Sequence, residues 1–251
     1  MDNKIYRIRP LNNYSVDELK NSYLWFSRPN GFKGDFNDAN IREFVENTKA
    51  IKNGINRTFP KFPYNEWYEE MGKIGICCFT ISRPSFYGIS RFPGCKRGKG
   101  ICIEYNKEVL EDFFNNHNSY PLNPCFRQIE YTDKPTRLEM LDDYSILWEK
   151  TEYGKWYRTL PEILHSHPRE LDKFLFKLLT RIDKKFKRQK EERIILGGRS
   201  IPDLNPDLKG YKIYIPTETI NRIYVYPLVP QLWKENLQNI EAVKERLVFL
   251  R

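Results

Sequence analysis

The segment KRQKEERIIL, from Lys187 to Leu196, decides the fold prediction, because a charged run changes within two residues into a strand-like sequence. Upstream, the apolar residues between Leu171 and Phe186 keep helical spacing and predict one long basic helix. Downstream, Ile194-Ile195-Leu196 is typical of a buried strand. Glu191 lies at the junction, where the backbone fixes it and it can face a cleft. A catalytic carboxylate and a solvated surface charge are the two interpretations of Glu191.

Elements on both sides of this segment alternate between strand and helix patterns. The predicted strands are Ile5 to Arg9, Tyr23 to Ser27, Lys73 to Thr80, Gly100 to Tyr105, Phe126 to Tyr131, Ile194 to Leu196, Tyr211 to Ile215 and Asn221 to Tyr226. The predicted helices begin at a Ser15-x-x-Glu18 capping box, near Ala39, after Asn106, at Leu138 (running to about Ser166, with breaks at Gly154 and Pro161) and near Pro230. Strands throughout the length, without a break in composition, predict one α+β domain over residues 1–251.

The charge is strongly positive, with a formal net charge of +9. Between Arg181 and Arg193 there are seven Lys or Arg residues against three acids. Such a segment fits nucleic acid, a nucleotide or an anionic protein. The alternative is the solvated face of an amphipathic helix, which needs no anionic partner.

The sequence predicts a cytoplasmic protein without a membrane segment. Its first residues lack the apolar stretch of a secretory signal, and the mean hydropathy is −0.68. The five cysteines are an odd number without metal-ligand spacing, which indicates free structural thiols in a reducing compartment.

The usual catalytic signatures are absent from the sequence. It has no Walker loop, no Gly-x-Gly-x-x-Gly, no His-Glu-x-x-His and no nucleophile elbow. The stretch Gly94 to Gly100 looks like a phosphate loop, but it precedes a strand where a phosphate loop precedes a helix. His165 and His167 have no further ligands at metal-binding spacing, so no metal site is predicted.

Six pieces of sequence, in order, resemble a bacterial family catalogued as domain of unknown function 2971. The N-terminal pieces are Ile5 to Arg9 and Leu24 to Phe32, the latter continuing to Asp35-Phe36-Asn37-Asp38. The later pieces are Ile76 to Thr80, Gly100 to Tyr105, Ile129 to Tyr131 and Gln189 to Ile195. Two departures stand out: Gln189 replaces the first acid of the family's Glu-x-Glu, and the Trp-x-x-Tyr and histidine before the Gly100 strand are missing.

The layout also resembles the ADP-ribosyltransferase fold, with an early strand carrying Arg, a second strand ending in Ser, and a late Gln/Glu-x-Glu entering a strand. This resemblance implies a mixed, mainly antiparallel split sheet flanked by helices. It also implies NAD as a substrate.

The same resemblance assigns roles to particular residues. Glu191 would hold the ribose hydroxyls and face the positive charge that develops when the nicotinamide–ribose bond breaks, and Gln189 would orient the acceptor. Arg7, or Arg9 on the same strand face, would bind the pyrophosphate, and Ser27 would contact the nicotinamide ribose. Asn37 is a further cofactor-contacting candidate.

Each role has a structural alternative. Arg7 could be an outward residue of an edge strand, Ser27 a strand end and Asn37 a helix cap, while Glu191 and Arg193 could form a surface ion pair.

These residues predict an NAD-dependent ADP-ribosyltransferase-like toxin or phage-defence effector that modifies a protein or nucleic acid. A neutralising antitoxin or partner protein fits this hypothesis. The alternative is a non-catalytic, basic nucleic-acid-binding module of a defence system, acting through Arg181 to Arg193. A nuclease fits poorly because no acidic cluster has metal-binding spacing. The transferase hypothesis requires Arg7, Ser27 and Glu191 to converge on one site.

Overall fold

A computed structural model describes residues 3–28, 74–92, 94–116, 126–133, 148–152, 154–158, 160–196 and 210–251. The strands are β1 (Lys4–Pro10), β2 (Tyr23–Ser27), β3 (Gly75–Thr80), β4 (Gly100–Asn106), β5 (Phe126–Gln128), β6 (Glu130–Thr132), β7 (Trp148–Thr151), β8 (Gly154–Tyr157), β9 (Arg181–Asp183), β10 (Glu191–Leu196), β11 (Gly210–Tyr214), β12 (Ile220–Val225) and β13 (Leu247–Phe249). The helices are α1 (Asn13–Lys20), α2 (Phe86–Ile89), α3 (Lys107–Asn116), α4 (Leu160–Ser166), α5 (Pro168–Leu179) and α6 (Gln231–Gln238). Short 3-10 segments cover Lys96–Gly98, Lys184–Gln189, Thr217–Thr219 and Lys244–Arg246.

The main sheet divides at β3. One side of β3 pairs along its whole length with β10, from Glu191 opposite Thr80 to Leu196 opposite Gly75. The other side meets β2 at Ile76 and β1 at Thr80, so these two strands leave β3 in separate branches. One branch continues to β11, and the other continues through β4 and β12 to β13. Among the described strands, only the β12–β13 pair of this sheet is parallel. The α+β prediction of a mixed, mainly antiparallel, split sheet is confirmed.

Alternation along the strands gives the sheet two faces of different character. The core face carries the main hydrophobic cluster, which includes Ile5, Phe79, Ile103, Ile194 and Ile223. Leu19 of α1, Leu110 and Phe114 of α3 and Leu237 of α6 belong to the same cluster, so these three helices cover the core face.

The opposite side, here called the Glu191 face, is covered in two places. Over β10 and β5, α5 packs against the sheet through Phe176, whose ring lies 4.2 Å from the Arg127 guanidinium carbon. Over β4 and β12, the segment after β3 buries Ile89 and Cys95 against Cys102 and Tyr224. Glu191 lies between the two covered areas.

Most predicted strands are confirmed, and so are two of the helix starts. Asn106 accepts a hydrogen bond from the Val109 N–H at 3.3 Å and caps α3, and Pro230 is the residue before α6.

The predicted start of the first helix is wrong by one turn. Asn12 is the N-cap: its side chain accepts from the Ser15 N–H, and the Ser15 hydroxyl oxygen accepts from the Asn12 N–H. Ser15 and Glu18 therefore both lie inside the helix, where Glu18 is buried.

Three other predictions are corrected. Within the predicted helix from Leu138 to Ser166, β7 and β8 form an antiparallel pair of strands. Only α4 is helical among the described residues of that range. The long basic helix ends at Leu179, and its basic continuation is β9 followed by a 3-10 segment. The strand from Phe126 to Tyr131 is two strands, because β5 pairs with β10 whereas β6 pairs with β9. The helix predicted near Ala39 lies outside the described residues.

Candidate active site

The backbone fixes Glu191 beside the end of β3. Lys190, just before it, has φ of 47°, in the left-handed region. The Lys190 carbonyl accepts a hydrogen bond from the Ile81 N–H at 3.1 Å, and the Gln189 carbonyl accepts one from the Thr80 hydroxyl at 2.6 Å. The turn that leads into β10 is thereby attached to Thr80, the last residue of β3, and to Ile81, the residue after it.

The side chain of Glu191 is held as firmly as its backbone. Its Oε1 accepts a hydrogen bond from Arg193 Nε at 2.5 Å, and 10% of the Glu191 side chain is exposed. Arg193 is fully buried and donates through Nη1 to the Leu179 carbonyl at 2.9 Å. The Glu191 N–H donates to the Tyr131 hydroxyl at 2.6 Å. The predicted Glu191–Arg193 ion pair is present, but its cation is buried rather than on the surface.

Strand pairing places Glu191 at one end of a polar row that crosses five strands. Glu191 lies opposite Thr80, Thr80 opposite Tyr6, Tyr6 opposite Glu104, and Glu104 opposite Arg222. Residues paired in this way share one face of a sheet, and neighbouring strands lie about 4.8 Å apart, so the row spans roughly 19 Å. We call these five residues the polar row.

Burial and a second carboxylate shape the electrostatics at the centre of this row. Burial, followed by the nearby Glu104 carboxylate, raises the pKa of Tyr6 to about 12. Glu104 is 2% exposed and accepts a hydrogen bond from the Tyr224 hydroxyl at 2.8 Å. Burial, followed by this hydrogen bond, raises the pKa of Tyr224. Tyr6 therefore stays a neutral hydroxyl at physiological pH.

The predicted pyrophosphate arginines lie on the core face. Arg7 is 5% exposed, forms an ion pair with Glu18, and donates through Nη2 to the Trp25 carbonyl at 2.9 Å. Arg9 Nε lies 3.0 Å from Glu18 Oε2. Because alternate residues of β1 point to opposite faces, Arg7 and Arg9 face away from the side on which Tyr6 and Glu191 lie. The structure does not bring Arg7 and Glu191 onto one face.

Ser27 shares a face with Glu191 but lies at the far end of β3. It pairs with Ile76, four residues before Thr80, which corresponds to about 13 Å along the strand. Gln189 immediately precedes Lys190 and contributes its carbonyl to Thr80. Asn37 lies outside the described residues. The catalytic and binding roles of these residues stay predictions.

The sequence interpretation overlooked Thr80 and Tyr6 as neighbours of Glu191. Thr80 ends a strand in the same way as Ser27. Tyr6 is adjacent to Arg7, which was predicted to bind the pyrophosphate. Which strand end meets Glu191 depends on the pairing of segments 111 positions apart in the sequence, from Thr80 to Glu191. No local pattern specifies that pairing.

Two of the described cysteines, Cys77 and Cys95, are poor candidates for a nucleophile. Cys77, Cys78, Cys95 and Cys102 are free, and burial raises the pKa of Cys77 and of Cys95 to about 11. Thiolates are the reactive form, so these two residues are inert at neutral pH.

The described ranges contain neither a metal-binding group nor a membrane-spanning helix. No group of three or more His, Cys, Asp or Glu side chains there is placed to hold a metal ion. No described helix is long and apolar enough to cross a membrane.

Comparison with known proteins gives one remote likeness. No family model matches the chain, so its resemblance to domain of unknown function 2971 stays a prediction. No curated protein matches it either. A solved structure described as Thermus sp. 2.9 DarT in complex with ADP-ribosylated ssDNA is similar with a TM-score of 0.36 and 15% sequence identity. That match covers 99% of this chain and 94% of the other.

Proposed function

We propose that the protein is an NAD-dependent ADP-ribosyltransferase whose essential carboxylate is Glu191. The observation that carries the proposal is the placement of Glu191, Thr80 and Tyr6 in consecutive order on one face, with Thr80 between the other two, where the sheet divides. A carboxylate fixed by Arg193 and by the β3–β10 pairing needs no reorganisation when positive charge develops beside it. NAD enters as a substrate, and the modified target is a protein or a nucleic acid.

The reaction would break the bond between ribose C1′ and the nicotinamide nitrogen. The bonding electron pair passes to the nicotinamide ring and neutralises its positive charge, while the ribose acquires oxocarbenium character. Glu191 would accept hydrogen bonds from the ribose hydroxyls and oppose that charge. A nucleophilic atom of the target then bonds to C1′ and loses its proton.

In this proposal, some residues around Glu191 face the substrate, and others hold Glu191 or Tyr6 in position. Tyr6 presents a neutral hydroxyl and an aromatic ring on the substrate side. Thr80 acts through the backbone, because its hydroxyl holds the Gln189 carbonyl and thus the turn before Glu191. Arg7 and Arg9 hold α1 against β1 through Glu18 and so position Tyr6 from behind.

The binding of pyrophosphate then needs a cation on the Glu191 face. Arg83, three residues after Thr80, has its guanidinium carbon 4.3 Å from the centre of the Tyr224 ring. It lies close enough to act on the pKa of Tyr6. We assign the pyrophosphate contact to Arg83, which departs from the predicted contacts at Arg7 and Arg9.

The test measures nicotinamide release from NAD, and transfer of label from adenylate-labelled NAD, in the presence of bacterial protein and nucleic-acid fractions. Glu191→Gln should lower both rates by about 10²–10³. The matched control is Glu130→Gln, on a carboxylate that is 55% exposed and paired with Arg181, and it should retain wild-type rates. Circular dichroism and melting temperature establish that both variants fold. Equal nicotinamide release by wild type and Glu191→Gln would overturn the proposal, as would a wild-type protein that releases none with either fraction.

A second candidate function, a nucleic-acid-binding module without catalysis, is favoured by the segment before Glu191. Lys184, Lys185, Lys187, Arg188 and Lys190 are all exposed there. In that case charge reversal at Lys184, Lys185 and Lys187 should abolish binding in a salt-dependent way, and Glu191→Gln should change nothing.

A further inference from the structure

The segment from Ile81 to Gly100 is basic and contains no acid. Its charged residues are Arg83, Arg91, Lys96, Arg97 and Lys99. The absence of acids is notable because Asp and Glu make up 33 of the 251 residues. Within the described part of the chain, no carboxylate forms an ion pair with Arg83, Arg91, Lys96 or Lys99. Their charges are therefore not neutralised by described acids.

The same segment exposes large apolar side chains. Tyr87 is 82% exposed, Ile81 51% and Phe86 38%. The Phe86 and Tyr87 rings meet edge to face at 5.3 Å. Exposed aromatic rings among unpaired cations are the combination by which proteins bind single-stranded nucleic acids, because each base has a face that can stack.

The segment is anchored to the sheet, so its exposed rings have a fixed base. Ser85 caps α2 by accepting from the Gly88 N–H at 3.1 Å, and the Tyr226 hydroxyl donates to the Pro84 carbonyl. Ile89 and Cys95, which lie between the exposed residues, are fully buried. Such preorganisation reduces the entropy lost when a ligand binds.

The position of the segment links it to the candidate active site. It begins directly after Thr80, and Ile81 is hydrogen-bonded to Lys190. The basic segments Ile81–Lys99 and Lys184–Lys190 therefore meet beside Glu191. A strand bound along the first segment would pass the polar row.

We propose that residues 81–92 and 94–99 form a docking surface for single-stranded nucleic acid. Bases stack on Phe86 and Tyr87, and phosphates contact Arg91, Lys96 and Lys99. A duplex keeps its base faces stacked inside and cannot use the two rings. The inference rests on the proposed function in one respect only: the docked strand would be the acceptor of the ADP-ribosyl group.

Binding is measured by fluorescence anisotropy without NAD, using a labelled twelve-nucleotide single-stranded DNA, the RNA of the same sequence, and the DNA duplex. The wild type should bind the single strands more tightly than the duplex. Tyr87→Ala should weaken single-strand binding by about tenfold. The control Tyr14→Ala removes a tyrosine that is 77% exposed on α1, over the core face, and should bind like the wild type.

The phosphate contacts have a separate readout. The double variant Lys96→Ala/Lys99→Ala should bind more weakly and reduce the slope of log affinity against log salt by about 1.4, since each phosphate contact on a single strand contributes about 0.7. Lys20→Ala on α1 is the control for loss of an exposed lysine and should leave that slope nearly unchanged, because Lys20 is exposed away from the docking surface.

Three results would overturn the docking surface: equal affinity of Tyr87→Ala and Tyr14→Ala, equal affinity for duplex and single strand, or an unchanged salt slope in the double lysine variant. Glu191→Gln separates the two proposals, because it should bind nucleic acid like the wild type while losing NAD turnover. If nicotinamide release is absent but Tyr87→Ala weakens binding, the docking surface stands and the transferase proposal falls.

Discussion

Two buried glutamates lie on opposite faces of the same sheet, and their surroundings balance the negative charge in different ways. Glu18, on the core face, pairs with two arginines, Arg7 and Arg9. Glu104, on the Glu191 face, accepts a hydrogen bond from Tyr224 and lies 3.5 Å from a lysine, Lys4, that is 45% exposed. Both glutamates are 2% exposed.

The difference shows which charges belong to the scaffold. Removing the Glu18 carboxylate would leave a buried guanidinium, which is costly in a low-dielectric interior. Glu104 is held mainly by a neutral hydroxyl, so an uncharged replacement can keep the hydrogen bond. The core face therefore uses its arginines for structure, while the Glu191 face can carry polar groups for other purposes.

The largest effect on stability is expected from Glu18→Gln. The substitution leaves Arg7 buried without a counter-charge, and the free energy of unfolding should fall by about 3–5 kcal/mol. Urea denaturation followed by circular dichroism measures it. Glu104→Gln makes the same change at equal burial and should cost about 1 kcal/mol or less, because the amide oxygen still accepts from Tyr224. Equal losses of unfolding free energy in the two variants would contradict the difference drawn between Glu18 and Glu104.

A smaller loss is expected from Tyr224→Phe. Without the hydroxyl, the Glu104 carboxylate loses its 2.8 Å donor inside the protein, and the free energy of unfolding should fall by about 1.5–2 kcal/mol. The same denaturation experiment applies. Tyr14→Phe, at a site that is 77% exposed, serves as the control and should be neutral within error. A neutral Tyr224→Phe would mean that Glu104 is satisfied without this hydrogen bond.

The smallest effect concerns pH. The pKa of Tyr6 rises from 10.0 to about 12 on folding, so the folded state keeps a proton that the unfolded chain has lost. The stability that this retained proton contributes to the folded state is fully present below pH 10 and is lost as the pH rises towards 12. Unfolding measured at pH 9 and pH 11 should show a smaller decline in Tyr6→Phe than in the wild type. An identical decline in the two proteins would contradict the assignment of Tyr6 to a half-buried, carboxylate-facing position.

Local patterns were enough to place most strands. Tyr23–Ser27 matches its predicted bounds, and the strand from Gly100 is one residue longer than predicted. These segments have β-branched and aromatic residues bounded by turn residues, which is information contained in the segment itself.

Faces and neighbours could not be deduced in the same way. Alternation along β1 separates Arg7 from Tyr6, but it does not say which of the two shares a face with Glu191, because that depends on pairing through β3. Glu18 shows a related limit: a Ser-x-x-Glu pattern fits a helix start equally well when both residues lie inside the helix. The types of the candidate catalytic residues could be predicted from the sequence, whereas their meeting at one site could not.

The position of β1 at the middle of the sheet has a consequence for how the chain is made. Both of its neighbours, β3 and β4, are synthesised later, and β4 ends at Asn106. At roughly 5–20 residues per second, the first strand waits about 5–20 seconds on the ribosome before β4, its full-length partner, exists. During that interval Ile5, Tyr6 and Ile8 have no strand partner to cover them, so we expect this strand to be open to chaperone binding.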